Sequence, residues 1–385
     1  MVPRRASVLI ALALVAVLSP AAPPAWAQPG QVSTVSFVEA SRTSLTLSWP
    51  RVSGATSYEV FRSIHKQTPY TKLVKRTSSR RTTIGGLVPG RTYCFQVRAK
   101  AGSSVGFRSA HTCKPTIRAA AVASGKSYGV MTFNACSDAC SGWSRRAPYA
   151  RKMVAARNPD VLATQEAGAW TTPPSGYAQA YSKSAKRLFY KKTRFTLASG
   201  GSSGARAGAI TLSTGKYAVW AELVDRASYK RIIFVSAHTT HVGSSYALRG
   251  REVDNLLTRM AQINTAGREV IYAGDFNSHK GRGTYNESTG FGSQDTVGRR
   301  FAASGYYDAY DLAKNLHRPN WNSYSGLSAI PRSSKTWGDH VDHVYVRPAR
   351  TNVYRWMNAS LYSGSRYQTP KPSDHNPVLV NLYIP

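Results

Sequence analysis

The chain has 385 residues, with 51 Lys and Arg against 18 Asp and Glu, for a formal net charge of +33 at pH 7. Hydrophobic residues make up 42% and aromatic residues 11%, including 22 tyrosines; this excludes an intrinsically disordered chain and is enough apolar material for more than one core. The charge exceeds what solubility requires and points to polyanionic partners, of which nucleic acid, acidic polysaccharide and anionic membrane surfaces all qualify.

The first segment, "PRRASVLIALALVAVLSPAAPPAWAQPG", has the layout of a secretory signal over residues 1–27. Arg4 and Arg5 form its charged start, residues 8–18 an apolar run too short to span a bilayer, and Ala25-Trp26-Ala27 an A-x-A cleavage pattern. A secreted protein is therefore expected, with no transmembrane segment. Four cysteines follow, Cys94, Cys113, Cys136 and Cys140. An even number in an exported chain predicts two disulfides; a zinc site would call for C-x2-C spacing, which is absent.

Residues 32–113 predict a small all-β unit, with short alternating runs ("SLTLSW", "SYEVFRS", "RTTIGGL", "TYCFQVRAKA") between turn residues. Trp49 closes an early strand, and Leu87, Pro89, Gly90 and Tyr93 carry a Leu-x-Pro-Gly-x-x-Tyr spacing. On these residues the segment resembles a fibronectin type III domain, in which the Trp belongs to the core and the Leu and Tyr to a structural corner. The resemblance places Cys94 and Cys113 on the last two strands, close enough for a staple, and leaves Cys136 and Cys140 to close a small loop of their own.

Residues 114–126 lack strand alternation and predict a linker. From 127 to 385, strand-like runs ("YGVMTFNA", "VLATQEA", "RLFYKK", "GAITLS", "RIIFVSAH", "EVIYAGDF", "HVDHVYV", "NPVLVNLYI") alternate with helical ones, the clearest helix being 248–263. A sheet core with helices outside is expected.

In a chain this basic, the acids and amides that close apolar strands stand out: Asn134 in "MTFNAC", Glu166 in "ATQEA", Asp275 and Asn277 in "AGDFNS", Asp342 in "HVDHVYV" and Asp374 in "SDHNPV". Strand ends are where a rigid scaffold presents functional groups. The motifs "TFN", "QE", "SAH", "GDFN", "VDHVYV" and "SDHNPV", in that order, resemble the endonuclease/exonuclease/phosphatase superfamily over nearly all of 127–385. The resemblance implies a multidomain chain in which an all-β fibronectin III-like sandwich precedes a four-layer (α/β/β/α) deoxyribonuclease-I-like sandwich.

It also implies a secreted, metal-dependent phosphodiesterase, most simply a nuclease acting on DNA or RNA. Glu166, Asn134 and Asp374 become metal residues, with Mg²⁺ as the ion and Mn²⁺ or Ca²⁺ as alternatives. Asp275 and Asn277 would activate water and contact phosphate, and His375 would act as acid or base oriented by Asp342. His238 matches a second family histidine, with His241 as its rival.

In the loop "SHKGRGTYNESTGFGSQDTVGRR", Lys280, Arg282, Arg299 and Arg300 mix with aromatic residues and predict nucleic-acid contacts. His111, His279, His317 and His340 have no motif support and are expected at the surface. Asn286 and Asn358 open glycosylation sequons. The chain is expected to be a monomer and to bind other extracellular polyanions through its basic surface. A sphingomyelinase or inositol-phosphate phosphatase is the enzymatic alternative, though no apolar hairpin for bilayer contact stands out. The other alternative is a non-catalytic secreted adhesion protein.

Overall fold

The computed structural model describes residues 27–63, 72–118, 125–200, 206–286, 290–333 and 339–385. All but the last residue of the expected leader lies outside them. Among the described residues no helix is long and apolar enough to cross a membrane.

The N-terminal unit is a β-sandwich. Strands Ser36–Ala40, Leu45–Ser48 and Arg81–Ile84 form one layer; Ser57–Ser63, Lys72–Thr77, Thr92–Ala101, Ser104–Val105 and Thr112–Pro115 form the other. Trp49 packs edge-on against Tyr58 with ring centroids 5.4 Å apart, and Phe37 against Phe95 at 6.1 Å. The Tyr93 hydroxyl accepts the Val88 N–H at 2.9 Å, which fixes the expected corner. Cys94 and Cys113 are register partners and form the expected disulfide, as do Cys136 and Cys140.

The second unit has four layers because each of its two sheets is apolar on both faces. In one sheet Lys126–Asn134 lies between the parallel strand Val161–Gln165 and the antiparallel strand Val378–Ile384. In the other, Glu269–Asp275 lies between the parallel strand Arg231–His238 and the antiparallel strand Asp342–Val346. Between the sheets, Val130, Val161, Ala163 and Val380 pack with Phe234, Ile271 and Val344. Helix Tyr246–Ile263 covers one outer face through Val253, Leu256 and Met260, on Ile233, Val235 and Tyr272. Helix Trp143–Arg157 covers the other through Met153 and Val154, on Met131, Leu162 and Leu379. It carries five basic residues and Pro148, which hid it from the periodicity.

The two units are less separate than the sequence suggests. One ten-stranded sheet runs through both, joined where Glu39 pairs with Asn315 of strand Asn315–His317. The Ala40 N–H donates to Lys314 O at 2.9 Å, and the Asn320 side chain donates to Val35 O at 2.7 Å. Lys114, expected to open a linker, is fully buried; its ammonium donates to Tyr310 O at 2.6 Å and lies 4.7 Å from the Tyr310 ring centre. Burial pulls its pKa down to about 7.

Removing residues 28–118 therefore leaves every motif of the second unit in place but strips one edge of its sheet. Losing the three hydrogen bonds just named, at about 1 kcal/mol each, should lower the melting temperature by roughly 6–12 °C. Calorimetry of the shortened and full chains checks this; equal melting temperatures for the second unit would show that the shared sheet contributes nothing.

Candidate active site

The site lies along one edge of the sandwich, where both parallel strand pairs end. Register places it: Asn134 pairs with Gln165 in one sheet, and His238, Asp275 and Asp342 lie abreast on three neighbouring strands of the other. Glu166 follows Gln165 with φ of 45°, an uncommon backbone for a residue with a Cβ. That turn is held from both sides, the Ser137 N–H donating to Glu166 O and the Ala167 N–H to Ala185 O, each at 2.8 Å.

Asp275 is 1% exposed and is the common neighbour of the set. Its Oδ2 accepts from the Asn134 amide at 3.0 Å and lies 3.5 Å from His238 Nε2 and 3.7 Å from His375 Nε2. Its Oδ1 accepts the Asn277 N–H at 3.0 Å. The Asn134 amide also donates to Glu166 Oε1 at 3.1 Å, which ties the carboxylates of the two sheets together. The Asn134 oxygen accepts the Cys136 N–H at 3.0 Å. Asn134 thus faces the carboxylates with its donor, and its effect on a cation would run through the orientation of Glu166. Asn277 likewise supports Asp275 from its backbone while its side chain donates to Thr239 O at 3.1 Å.

His375 is 7% exposed, and its Nδ1–H donates to Asp342 Oδ2 at 2.8 Å. Burial works against its charge, but the Asp342 and Asp275 carboxylates outweigh that and raise its pKa to about 10. His238 goes the other way. Burial depresses it to about 4, and Lys216 and Lys186 add to that against the pull of Asp275. One imidazole is held charged and the other neutral across a single carboxylate. Glu166 is raised by burial and by the Asp275 charge, partly offset by its Asn134 hydrogen bond. Glu166, His238 and Asp275 each offer a ligand atom within 4.8 Å of the others. Two partly desolvated carboxylates that repel each other, both with oxygen donors, fit a hard divalent cation. His238 Nε2 has no hydrogen-bond partner among the described residues.

Several other residues fall elsewhere. Asp374 groups with the oxidised Cys136–Cys140 sulfurs, and its charge acts on Glu166 and His375. His241 is exposed. Lys280 is 8% exposed and its ammonium pairs with Asp311, so it is spent inside the protein and not displayed to a substrate. Arg299 donates to Ser293 O and Asp295 O, Arg282 to Gly243 O, and Arg300 pairs with Asp254. His340, expected at the surface, is buried between Tyr310 and Trp356, with ring centroids at 4.8 and 4.7 Å. Asn358 is 1% exposed, which excludes it as a glycan acceptor.

The sequence also left out the supports. Gln165 donates to Ser236 Oγ at 2.9 Å, a cross-sheet bond beneath the site. The Ser323 hydroxyl accepts the Val341 and Asp342 N–H groups. Ser373 donates to Asn134 O and accepts the His375 N–H, which locks the "SDH" turn onto the first sheet. The "QE", "SAH" and "SDHNPV" motifs contained three of these residues, but nothing in their spacing separates a support from a reacting group.

No curated protein matches the chain. Among solved structures, an endonuclease/exonuclease/phosphatase family protein from Bacteroides thetaiotaomicron is 18% identical, with a TM-score of 0.53, covering 68% of this chain and 99% of its own. A mannosyl-6-phosphatase of the same species is 19% identical with a TM-score of 0.50, covering 66% and 99%. The human nocturnin catalytic domain, with bound sulfate, is 18% identical with a TM-score of 0.51, covering 67% and 94%. At such identities they show the fold alone. Residues 30–113 match the fibronectin type III domain, as the sequence suggested. The match over residues 131–375, which contains every site residue above, makes the chain a member of the Endonuclease/Exonuclease/phosphatase family, whose namesake activities all hydrolyse phosphoesters.

Proposed function

We propose that the chain is a divalent-cation-dependent phosphodiester hydrolase acting on nucleic acid. The observation that carries this reading is the placement of Asp275 between Asp342-bound His375 and neutral His238. A divalent cation bound at Glu166 and Asp275 would supply neutralisation of the phosphoryl oxygens.

The protein's own groups do the rest. Asp275, held by Asn134 and Asn277, accepts a proton from the attacking water as its oxygen bonds to phosphorus. His375, kept protonated by Asp342, gives a proton to the leaving oxygen as the second P–O bond breaks. His238 offers its unpartnered Nε2 to a phosphoryl oxygen if that nitrogen carries the hydrogen. The net charge of +33 supports a polyanionic substrate.

A second reading has one observation in its favour. Tyr324, whose ring lies 5.1 Å from that of His375, is 48% exposed, and Leu327 and Ile330 on the same loop are 46% and 60% exposed. The exposed Tyr324 ring beside His375, unseen in the sequence, suits either base stacking or contact with a phospholipid surface. Plasmid DNA, RNA and sphingomyelin vesicles offered in parallel with Mg²⁺, Mn²⁺ or Ca²⁺ separate the two. Cleavage of vesicles alone would overturn the nuclease reading.

His375→Ala and Glu166→Ala should each lower turnover by about 10²–10⁴-fold while leaving polyanion binding largely intact. Asp342→Asn, which leaves the imidazole but not its anchor, should cost about 10–100-fold. EDTA should abolish turnover of the native protein. Folded His375→Ala and Glu166→Ala proteins with native rates, or activity that survives the chelator, would contradict the mechanism.

A further inference from the structure

The geometry points to a second anion subsite, formed by Lys186 and Lys216 on the His238 side of the cleft, that takes a phosphate neighbouring the one cleaved. This rests on the nucleic-acid reading above and names what distinguishes a strand from a single phosphoester.

Each lysine opens a strand antiparallel to one that ends at the site. Lys186 begins Lys186–Lys191, whose Arg187 pairs with Thr164, so it stands beside the Gln165–Glu166 turn. The Ala167 N–H bond to Ala185 O fixes that approach. Lys216 begins Lys216–Asp225, whose Ala218 pairs with Ala237, so it stands beside His238 in the opposite sheet. The two hairpin tips meet across the mouth of the sandwich, with the Lys183 ammonium 5.4 Å from the Tyr217 ring centre.

Lys186 is 6% exposed, and neither Lys186 nor Lys216 forms a salt bridge among the described residues. Burial and the Lys216 charge both disfavour its ammonium, opposed by the Glu166 and Asp138 carboxylates. Two cations brought together at the mouth of a phosphoesterase site repel each other until an anion lies between them. Strand register sets Lys216 beside His238, whereas His375 faces Asp342 Oδ2 at 2.8 Å and Asp275 Oδ2 at 3.7 Å. The scissile phosphate belongs between the two histidines, and the lysines lie beyond one of them. A strand whose phosphates recur along the backbone fills both places; a lone phosphodiester fills one.

The test compares native protein with Lys186→Met, Lys216→Met and the double variant. kcat/KM is measured on a short single-stranded oligonucleotide and on bis(4-nitrophenyl) phosphate, which has one phosphorus. The ratio of the two should fall at least tenfold in each single variant, mainly through KM of the oligonucleotide. With EDTA present, the slope of log affinity for that oligonucleotide against log salt should shrink by about 0.7 per lysine removed. An unchanged ratio, whether both substrates suffer equally or neither does, overturns the subsite, and so does an unchanged slope. Lys216 is only partly buried, so Lys216→Met carries the same test if Lys186→Met fails to fold. A native protein that cleaves neither substrate would refute the hydrolase reading, while the binding arm still decides the subsite.

Discussion

The site depends on burying the Asp275 carboxylate where two sheets meet. A carboxylate at 1% exposure is costly to bury without hydrogen-bond donors, and the surroundings supply them from both sheets. Asn134 reaches it from the facing sheet and the Asn277 backbone from its own turn, and the two imidazoles approach its Oδ2 from either side. These contacts are affordable only because strand register sets His238, Asp275 and Asp342 abreast before any side chain is placed. A slip of one residue would turn Asp275 to the other face of its sheet.

The strands of the second unit were legible because period-two runs bounded by turn residues have few alternatives, and "RIIFVSAH" and "EVIYAGDF" became Arg231–His238 and Glu269–Asp275 nearly residue for residue. The polar residues closing them were legible for the same reason. What each one faces was not. Sequence cannot tell that Asn134 turns its amide hydrogens and not its oxygen to the carboxylates, since that follows from the Cys136 N–H claiming the oxygen. Nor can it tell that Asp374 sits by a disulfide one step from the cluster its neighbour His375 joins. Lys280 reads as a loop cation because loops are exposed on average, but here the loop folds back to bury it. Lys216 has no motif to single it out in a chain with 51 basic residues, and the lysines of "YSKSAKRLFYKK", Lys186 among them, carry no sequence signal for a partner across the cleft.

The sequence marks the passage between the two units as a change of pattern, and the structure adds contacts that cross it. The buried ammonium groups of Lys114 and Lys280 lie 4.7 and 4.6 Å from the centre of the same Tyr310 ring, one reaching from the N-terminal unit and one from the loop after the "GDFN" motif. Asp308, two residues before Tyr310, holds His343 Nδ1 at 2.7 Å, and His343 is next to Asp342. A continuous polar and aromatic contact path thus runs from the fibronectin type III domain to the strand that orients His375. The small domain is built into the sheet that frames the catalytic edge, and it is not simply tethered to it.

Asp275→Asn tests the central claim most directly, because it keeps the shape of the side chain while removing the charge and the proton acceptor. The account predicts a folded protein with native-like melting whose turnover of nucleic acid falls by at least about 10²-fold with saturating divalent cation. A well-folded Asp275→Asn protein within tenfold of the native rate would contradict it, since among the described residues Asp275 is the one carboxylate within 4 Å of both histidines.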